Sequence, residues 1–453
     1  MISHFRLIVM MHIFIMLMVA ISQNLFAAEE YSLEDLYRIA LERSEKIKIS
    51  GEDVYVSEKG RDKALSSLLP KFSAFWDYTR YSEEKTAVFG SSLFAIQPEY
   101  SSSWGLRLDQ AMSTGGRELT AFKISKENIE KSKFEFYAVK EEYLLSVASA
   151  YYDVLKAQKA LEIARVNSER LTKHRDAAAT RLKVGDVTKT DLLRANAELS
   201  GSQADLVKAD NNLKLRKAIL ARIVGLSVDF DVKETDIKGK PAEEYVLSFL
   251  KGKALSERAE LKSQDLQNRI SGDQVRYAQG AYWPTISVGG VYSRMEEEPA
   301  LPFFLRESIY GMLSVTFPFF EGGLRRAEVG EAKARMRQSE LIYEDLKKTI
   351  MIEVEKAFLE FQTQKGVLKS LEDEVTFARD NYNSISRQYE FGLANSIDVI
   401  DANTLLLTSE RQLEDAKYDY QLSVLKLERA TGTLLKTVVG QQSSVISQNI
   451  KDK

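Results

Sequence analysis

Two carboxylates in the second half of the sequence are spaced so that they could act together on passing ions. Asp398 and Asp401 lie three positions apart, and on a helix this spacing points both side chains the same way. Carboxylates that line a narrow passage attract cations and resist anions. For Asp398 the alternative is helix capping, because Asn395 precedes it by three residues and fits an N-cap residue with an acidic partner.

The remaining composition argues against catalysis. The 453 residues include no cysteine and three histidines, and two of these, His4 and His12, lie in the N-terminal apolar segment. Thiolate metal sites, cysteine nucleophiles and disulfides are therefore excluded. We find no nucleophile–base set, metal-ligand cluster or phosphate-binding loop, so we expect neither an enzyme nor a cofactor. The formal net charge of −3 gives no reason to expect a nucleic-acid partner.

Asp398 belongs to a segment that occurs twice. Residues 185–196 (GDVTKTDLLRAN) and 392–403 (GLANSIDVIDAN) share a glycine, an aspartate, an alanine and an asparagine at an offset of 207 positions. The same offset relates the Gly-Gly pairs at 115 and 322. A duplication of this length predicts two internal structural repeats.

Long stretches without proline predict long helices. No proline lies between Pro98 and Pro241 or after Pro318, and proline breaks helix interiors. Each long helix is predicted to extend for roughly 100 Å at 1.5 Å per residue. The long helices are expected at 117–184 and 324–391, and their return helices at 188–226 and 395–432.

A heptad pattern indicates what these helices pack against. Leu144, Val147, Tyr151 and Val154 are spaced as a coiled-coil seam, and the repeat offset carries the pattern onto apolar residues of the second long helix. We therefore expect coiled-coil helical hairpins with tips near Gly185 and Gly392. A soluble coiled coil is the alternative that this pattern alone leaves open.

Four shorter segments ahead of the long helices alternate between apolar and polar residues. The period of two predicts β-strands with one apolar face, and their length suits a tilted strand that crosses a bilayer. Four strands cannot close a barrel, so several chains would have to share one. A soluble sandwich is the alternative, but it does not explain why each strand pair runs into a long helix. The strands are predicted at about 71–81, 101–110, 285–292 and 308–317, with outward-facing loops at about 82–100 and 293–307.

The predicted organisation places these elements in two halves between two terminal segments. Residues 1–28 have the features of a secretory signal peptide, with an uncleaved membrane anchor as the alternative. The first repeat spans 29–240 and the second spans 241–435. Residues 436–453 form a C-terminal tail that we expect to be poorly ordered. Each repeat is expected to open with an amphipathic helical segment, at 33–69 and 245–281.

With its elements in this order, the sequence resembles the TolC family of outer-membrane efflux proteins. The resemblance covers essentially the whole mature chain. Its most specific parts are FPFFEGGLRRAEV at 317–329 and FGLANSIDVIDAN at 391–403. It implies a fold that is mainly α with β, in a homotrimer. Four transmembrane strands per protomer would contribute to a twelve-stranded barrel in the outer membrane, and the hairpins would form a periplasmic tunnel.

The resemblance also implies a function in transport. The chain would be the outer-membrane channel of a tripartite efflux or type I secretion system, a passive exit duct. Its partners would be a periplasmic adaptor (membrane fusion) protein, an inner-membrane transporter of the RND, ABC or MFS type, and outer-membrane lipid. The alternative is a non-channel periplasmic coiled-coil scaffold or adaptor, which usually has one hairpin and no lipid-facing strands. The sequence does not distinguish drug, metal, siderophore and protein cargo.

The resemblance assigns the pore constriction to the tip of the second repeat. In the family, carboxylates at the positions of Asp398 and Asp401 constrict the closed entrance, so a trimer would carry two stacked rings. The first repeat has Arg194 where the second has Asp401, which favours a pore role for Asp401. Tyr389 matches a tyrosine that helps to latch the entrance, with packing as the alternative. Ala394 stands where a basic latch residue is expected, so the same latch is not assumed.

Two further groups of residues are candidate sites, the first from the resemblance and the second from the chemistry of the strands. The hairpin tips meet the adaptor, with helix C-capping as the alternative role of the glycines. Several strand aromatics are candidates for the lipid interface, with strand packing as the alternative. The tip residues are Arg181, Gly185, Asp191, Gln388 and Gly392. The aromatics are Trp76, Tyr78, Trp104, Tyr292 and Phe317.

Overall fold

The computed structural model of the protein describes residues 29–227, 230–234, 245–302, 304–438 and 440. The predicted signal segment 1–28 and most of the predicted tail lie outside these residues. Within them, no helix combines the length and the apolar character needed to cross a membrane. The architecture is mainly helical, with some sheet.

The elements follow one another along the chain in two similar series. The first series is β1 (Glu29–Tyr31), α1 (Leu33–Arg43), α2 (Glu45–Ser66), β2 (Lys71–Arg80), β3 (Lys85–Phe89), β4 (Ser92–Gln97), β5 (Tyr100–Thr114), α3 (Arg117–Lys183) and α4 (Lys189–Val224). The second is β6 (Phe230–Val232), α5 (Leu247–Glu257), α6 (Ala259–Gly280), β7 (Thr285–Glu298), β8 (Glu307–Thr316), α7 (Leu324–Glu390) and α8 (Ser396–Ala430).

The two long helices match the proline-free stretches. Helices α3 and α7 contain 67 residues each and end within one residue of the expected positions. The expected heptad residues Leu144, Val147, Tyr151 and Val154 are all fully buried. They pack in a core that also contains residues of α1, α4, α8 and β6. The seam therefore serves a multi-helix core rather than a two-stranded coiled coil alone.

The helical segments expected at 33–69 and 245–281 are each two helices. The first is interrupted at Ser44, whose backbone is extended and whose hydroxyl accepts a hydrogen bond from the Ile47 amide at 3.4 Å. The second is interrupted at Arg258, where the side chain donates to Glu353 at 2.8 Å and to the Ala430 carbonyl at 3.2 Å. A capping serine and a buried arginine that bonds to other helices thus favour the breaks over continuous helix.

One antiparallel sheet contains all four predicted strand segments, in the order β2-β5-β7-β8. Its register pairs Trp76 with Trp104, Leu106 with Tyr292, and Tyr292 with Ile309, so the apolar rows of the four strands share one face. The polar rows, including Asp77, Arg107 and Asp109, share the other face. Within the described residues, β2 and β8 form the two edges of this sheet.

The loops between paired strands differ from the expectation. The segment expected as the loop 82–100 contains a separate hairpin, in which β3 and β4 pair around Gly90. Strand β7 continues to Glu298, because its partner β5 extends back to Tyr100 and pairs with it there. The second loop is therefore confined to residues between Glu298 and Glu307.

The chain divides into two compact units, and each takes segments from both halves of the sequence. One unit contains the described residues within 1–48, 139–258 and 350–453. It holds the buried core and a parallel pair of short strands, β1 and β6. The other unit spans 49–138 and 259–349 and holds the four-stranded sheet.

Candidate functional site

The tips of the two helical hairpins have the same backbone geometry. Gly185 and Gly392 have φ angles of +81° and +76°, which are accessible to glycine at little cost. After each glycine the chain bonds back into the helix, from the Asp186 amide to the Arg181 carbonyl at 3.0 Å and from the Leu393 amide to the Gln388 carbonyl at 2.8 Å. Both glycines are therefore helix C-caps.

Each return helix begins with a reciprocal capping box, and the spacing of Asn395 and Asp398 predicts the second of them. The Thr188 amide donates to the Asp191 carboxylate at 2.9 Å, and the Asn395 amide donates to the Asp398 carboxylate at 3.0 Å. Hydrogen bonds from the Thr188 side chain and backbone lower the pKa of Asp191. Asp191 and Asp398 thus have a structural role at the helix start, whatever further role they have.

The two candidate pore carboxylates lie in different local settings. Asp398 is half-buried and engaged in the cap, whereas Asp401 lies about one turn further along α8 and is exposed. The matching residue of the first repeat, Arg194 on α4, is also exposed. The charge of Asp401 is therefore available to solvent, and its removal leaves the cap intact.

Arg181 and Tyr389 connect the two hairpins of one chain. The Arg181 guanidinium donates to the Tyr389 backbone carbonyl at 2.6 Å and lies 4.7 Å from the centre of the Tyr389 ring. The side chain of Tyr389 is only 3% exposed, and this burial raises the pKa of its hydroxyl. This carbonyl lies at the C-terminal end of α7, where the helix dipole favours a cation. The structure thus brings together a residue expected at the adaptor surface and one expected at the pore.

A third member of this cluster, His174, was not predicted from the sequence. Its ring centre lies 4.9 Å from that of Tyr389, and its Nε2 is 2.9 Å from the Ser396 hydroxyl at the start of α8. Burial lowers the pKa of His174 and favours the neutral imidazole. Its position, seven residues before Arg181 and thus on the same side of α3, was the available signal.

Exposed apolar side chains surround the glycines at the tips. Phe391 and Leu393 flank Gly392, and Val184 precedes Gly185; each is more than two-thirds exposed. Leu193 and Ile397, in the first turns of the return helices, are also exposed. Gln388 is exposed one residue before Tyr389. Large apolar residues clustered on a surface indicate a contact site.

The apolar face of the sheet is likewise exposed. Trp76, Tyr78, Trp104 and Tyr292 all lie on this face, and the Trp104 and Tyr292 rings meet at 5.8 Å. Phe317 follows the last residue of β8 and is exposed. The face as a whole has large exposed side chains, namely Phe72, Trp76, Tyr78, Trp104, Leu106, Val288, Ile309, Leu313 and Val315.

A second aromatic group lies at the other end of the strands. Trp283 precedes β7, and Phe319 and Phe320 follow β8; all three are exposed. Phe319 and Phe320 belong to the FPFF motif that carries the family resemblance, but an interface role was not predicted for them or for Trp283. Aromatic residues at both ends of an apolar band are typical of strands that cross an outer membrane.

Comparison with known proteins identifies the family. The family described as outer membrane efflux protein matches residues 36–226 and 250–433. The chain is 24% identical to outer membrane protein TolC of Escherichia coli (strain K12) over 432 residues, covering 89% of this chain and 82% of that protein. It is 22% identical to alkaline protease secretion protein AprF of Pseudomonas aeruginosa over 412 residues, covering 89% of this chain and 84% of that one.

A solved structure shows the same fold. The outer membrane protein VceC from Vibrio cholerae has a TM-score of 0.75 at 18% identity, over 88% of this chain and 96% of VceC. The chain therefore belongs to the outer membrane efflux protein family and is a non-enzymatic outer-membrane channel protein with a helical periplasmic domain.

Proposed function

We propose that this protein is the exit duct of a tripartite efflux or type I secretion system. It passively conducts substrates to the outside from an inner-membrane transporter of the RND, ABC or MFS type and a periplasmic adaptor. The observation that carries the proposal is the open sheet. Its apolar face is exposed, and its strands β5 and β8 each lead into a helix of 67 residues. AprF, named for alkaline protease secretion, supports a secretion system as well as an efflux system.

The open sheet supports a trimer. Strands β2 and β8 are edge strands with unpaired backbone groups, and in hydrocarbon each such group costs several kcal/mol. Pairing β8 of one copy with β2 of the next removes both edges. Three copies give a closed barrel of twelve strands, with the apolar face toward lipid and the face of Asp77, Arg107 and Asp109 toward a wet lumen.

The hairpin tips supply the entrance and the adaptor contact. In the trimer, Asp401 and Asp398 form two carboxylate rings at the periplasmic mouth, and these favour cations in the closed entrance. Tyr389, held by Arg181, fixes the end of α7 beside the mouth. The surrounding exposed surface, from Gly185 and Asp191 to Gln388 and Gly392, docks the adaptor.

The aromatic residues anchor the barrel in the membrane. Trp76, Tyr78, Trp104 and Tyr292 lie toward the loop end of the strands, and Phe317 lies at the helix end. Amphipathic rings favour the two boundaries between lipid and water. The distance between the aromatic residues at the loop end and Phe317 at the helix end then sets how much of the sheet lies within the bilayer.

The test combines fractionation with conductance. We expect the mature protein in the outer-membrane fraction as a trimer, and the purified trimer to conduct ions across a planar bilayer. Recovery as a soluble periplasmic monomer would overturn the proposal and favour the coiled-coil scaffold. A membrane-bound trimer without any conductance would overturn the duct while leaving the location intact.

A further inference from the structure

We infer that the entrance contains an acid-sensitive switch, in which protonation of His174 releases the two hairpins of one chain from each other. The inference rests on the proposed function, because the tips gate a channel only in the proposed trimer. Of the three histidines in the sequence, two lie within residues 1–28, so His174 is the one that follows the predicted signal segment. Histidine is the side chain that ordinarily changes its charge between pH 5 and 8.

His174 lies where the first long helix contacts both helices of the second hairpin. Its ring packs on Tyr389 of α7, with the ring centres 4.9 Å apart, and its Nε2 lies 2.9 Å from the Ser396 hydroxyl of α8. His174 is 6% exposed and Ser396 is 1% exposed. A charged imidazole would lose its hydration in this place, so the closed tip favours the neutral ring.

Two arginines flank this ring along α3. Arg170 comes four residues before His174 and Arg181 seven residues after it, on the same side of the helix, at about 6 Å and about 10 Å along the axis. The Arg170 guanidinium binds the Glu410 carboxylate of α8 at 3.0 Å, and Arg181 donates to the Tyr389 carbonyl at 2.6 Å. A proton on His174 therefore adds a third cation between the two that fasten α3 to the second hairpin. Like charges four residues apart on a helix repel each other.

The carboxylates in this region already have cationic partners. Glu410 accepts hydrogen bonds from Arg379 of α7, at 3.2 Å, as well as from Arg170. Asp176, two residues after His174, pairs with Arg175 at 2.8 Å. Neutralising a protonated His174 would therefore require one of these ion pairs to break.

The remaining titratable groups at the tip are engaged in the helix caps or are neutral. Asp191 of α4 accepts from the Thr188 amide at 2.9 Å, and Asp398 of α8 accepts from the Asn395 amide at 3.0 Å. Burial raises the pKa of Tyr389, so its hydroxyl stays protonated. Water is thus the remaining source of solvation for the imidazolium, and it reaches the ring when α3 separates from α7 and α8.

The seam between α3 and α8 is polar at this end, which allows it to separate. Asn403 donates to the Asn167 carbonyl oxygen at 2.7 Å, and both residues are buried. Among the described residues, the Asn403 side-chain oxygen has no hydrogen-bond partner. Water can replace hydrogen bonds of this kind at small net cost, whereas the buried apolar side chains further along α3 have no such substitute. Opening is therefore confined to the tip.

The size of the effect follows from the ordinary titration of histidine. An imidazole with a pKa of about 6.5 is about 24% protonated at pH 7 and about 97% protonated at pH 5. If the open tip alone bound the proton, the ratio of open to closed tips would rise about 25-fold between these two values. We expect about tenfold, because the closed tip also binds the proton, though more weakly. Carboxylates ordinarily titrate near pH 4, so they keep their charge in this range.

Single-channel recording of the purified trimer tests the switch, with acid added to the chamber that the tips face. The open probability of the natural protein should rise about tenfold from pH 7 to pH 5 and fall again when pH 7 is restored. His174→Gln keeps a polar group near Ser396 but does not titrate, so it should abolish this response. His174→Phe keeps a ring against Tyr389 without a proton site and gives the same test if His174→Gln does not assemble.

Lys173→His, made in the His174→Gln protein, is the matched control. It returns a histidine to the next position of α3, where the side chain is exposed and outside the cluster. It should not restore the response to acid.

The outcomes separate the switch from the duct. An open probability that is equal at pH 7 and pH 5, or an equal response in the natural protein and both His174 variants, would overturn the switch and leave the duct standing. Restoration of the response by Lys173→His would also overturn it, because the site of the proton would not matter. A protein that forms no trimer, or a trimer that does not conduct at either pH, would instead overturn the proposed function.

Discussion

Replacing Arg181 with alanine tests whether the two hairpins of one chain are held together at their tips. Arg181 lies in the last turn of α3, and its guanidinium contacts both the carbonyl and the ring of Tyr389 at the end of α7. Alanine removes both contacts. Because alanine favours helix, α3 itself should be unaffected.

The expected effect follows from these two contacts. A hydrogen bond from a charged donor contributes about 1.5 to 3 kcal/mol, and a cation–π contact at an exposed site about 0.5 to 1 kcal/mol. Arg181 is half-buried, so we take about 2 kcal/mol for the pair. At about 1.4 kcal/mol per factor of ten, opening of each tip should become roughly 30-fold more favourable.

Single-channel recording of the purified trimer measures this change as open probability. Arg181→Ala should raise the open probability strongly, and Arg181→Lys, which keeps the charge but not the planar fork, should have an intermediate effect. Arg194→Ala is the matched control, since it removes an exposed arginine from the neighbouring helix. If Arg181→Ala and Arg194→Ala behave alike, the tip contact does not hold the entrance closed.

Other predictions concern the same tips. Asp401→Asn should reduce the preference for cations, measured by reversal potential, without lowering the melting temperature; unchanged selectivity would exclude the ring. Asp398→Asn should reduce the preference and keep the cap acceptor, whereas Asp398→Ala should also destabilise α8 by about 1 kcal/mol. Burial lowers the pKa of His174, so the unfolded chain binds the proton more readily and stability should fall as pH drops below about 6.5. His174→Gln should reduce the change in melting temperature between about pH 7 and 5. An equal change in the natural protein and the variant would show that His174 is not its source.

Local sequence patterns were sufficient to predict the strands of the sheet, the long helices and their capping boxes. The alternation around Trp76 and Trp104 reports directly on which face each side chain occupies, so the apolar face of the sheet could be predicted. The absence of proline between Pro98 and Pro241 allowed the long helix α3 to be predicted. The capping boxes at Thr188 and Asn395 were predictable because they are local in sequence.

Features that depend on contacts distant in sequence were not predictable. The Arg181–Tyr389 contact joins residues 208 positions apart, and no local pattern indicates it. The break at Arg258 depends on bonds to Glu353 and Ala430. The β3–β4 hairpin was missed for a different reason: its segment is apolar on both faces, so it lacks the alternation that identified the other strands.

The interleaving of the two compact units sets the order in which the chain can fold. Neither unit is complete until residues of the second half have been made, because one requires 259–349 and the other requires 350–453. Strand β5 can pair with β2 at once, but its other edge must wait for β7, nearly two hundred residues later in synthesis. A nascent chain therefore emerges with an open strand edge on an apolar sheet and no finished domain. It should remain loose enough for export, and should depend on a periplasmic chaperone until its last helix arrives.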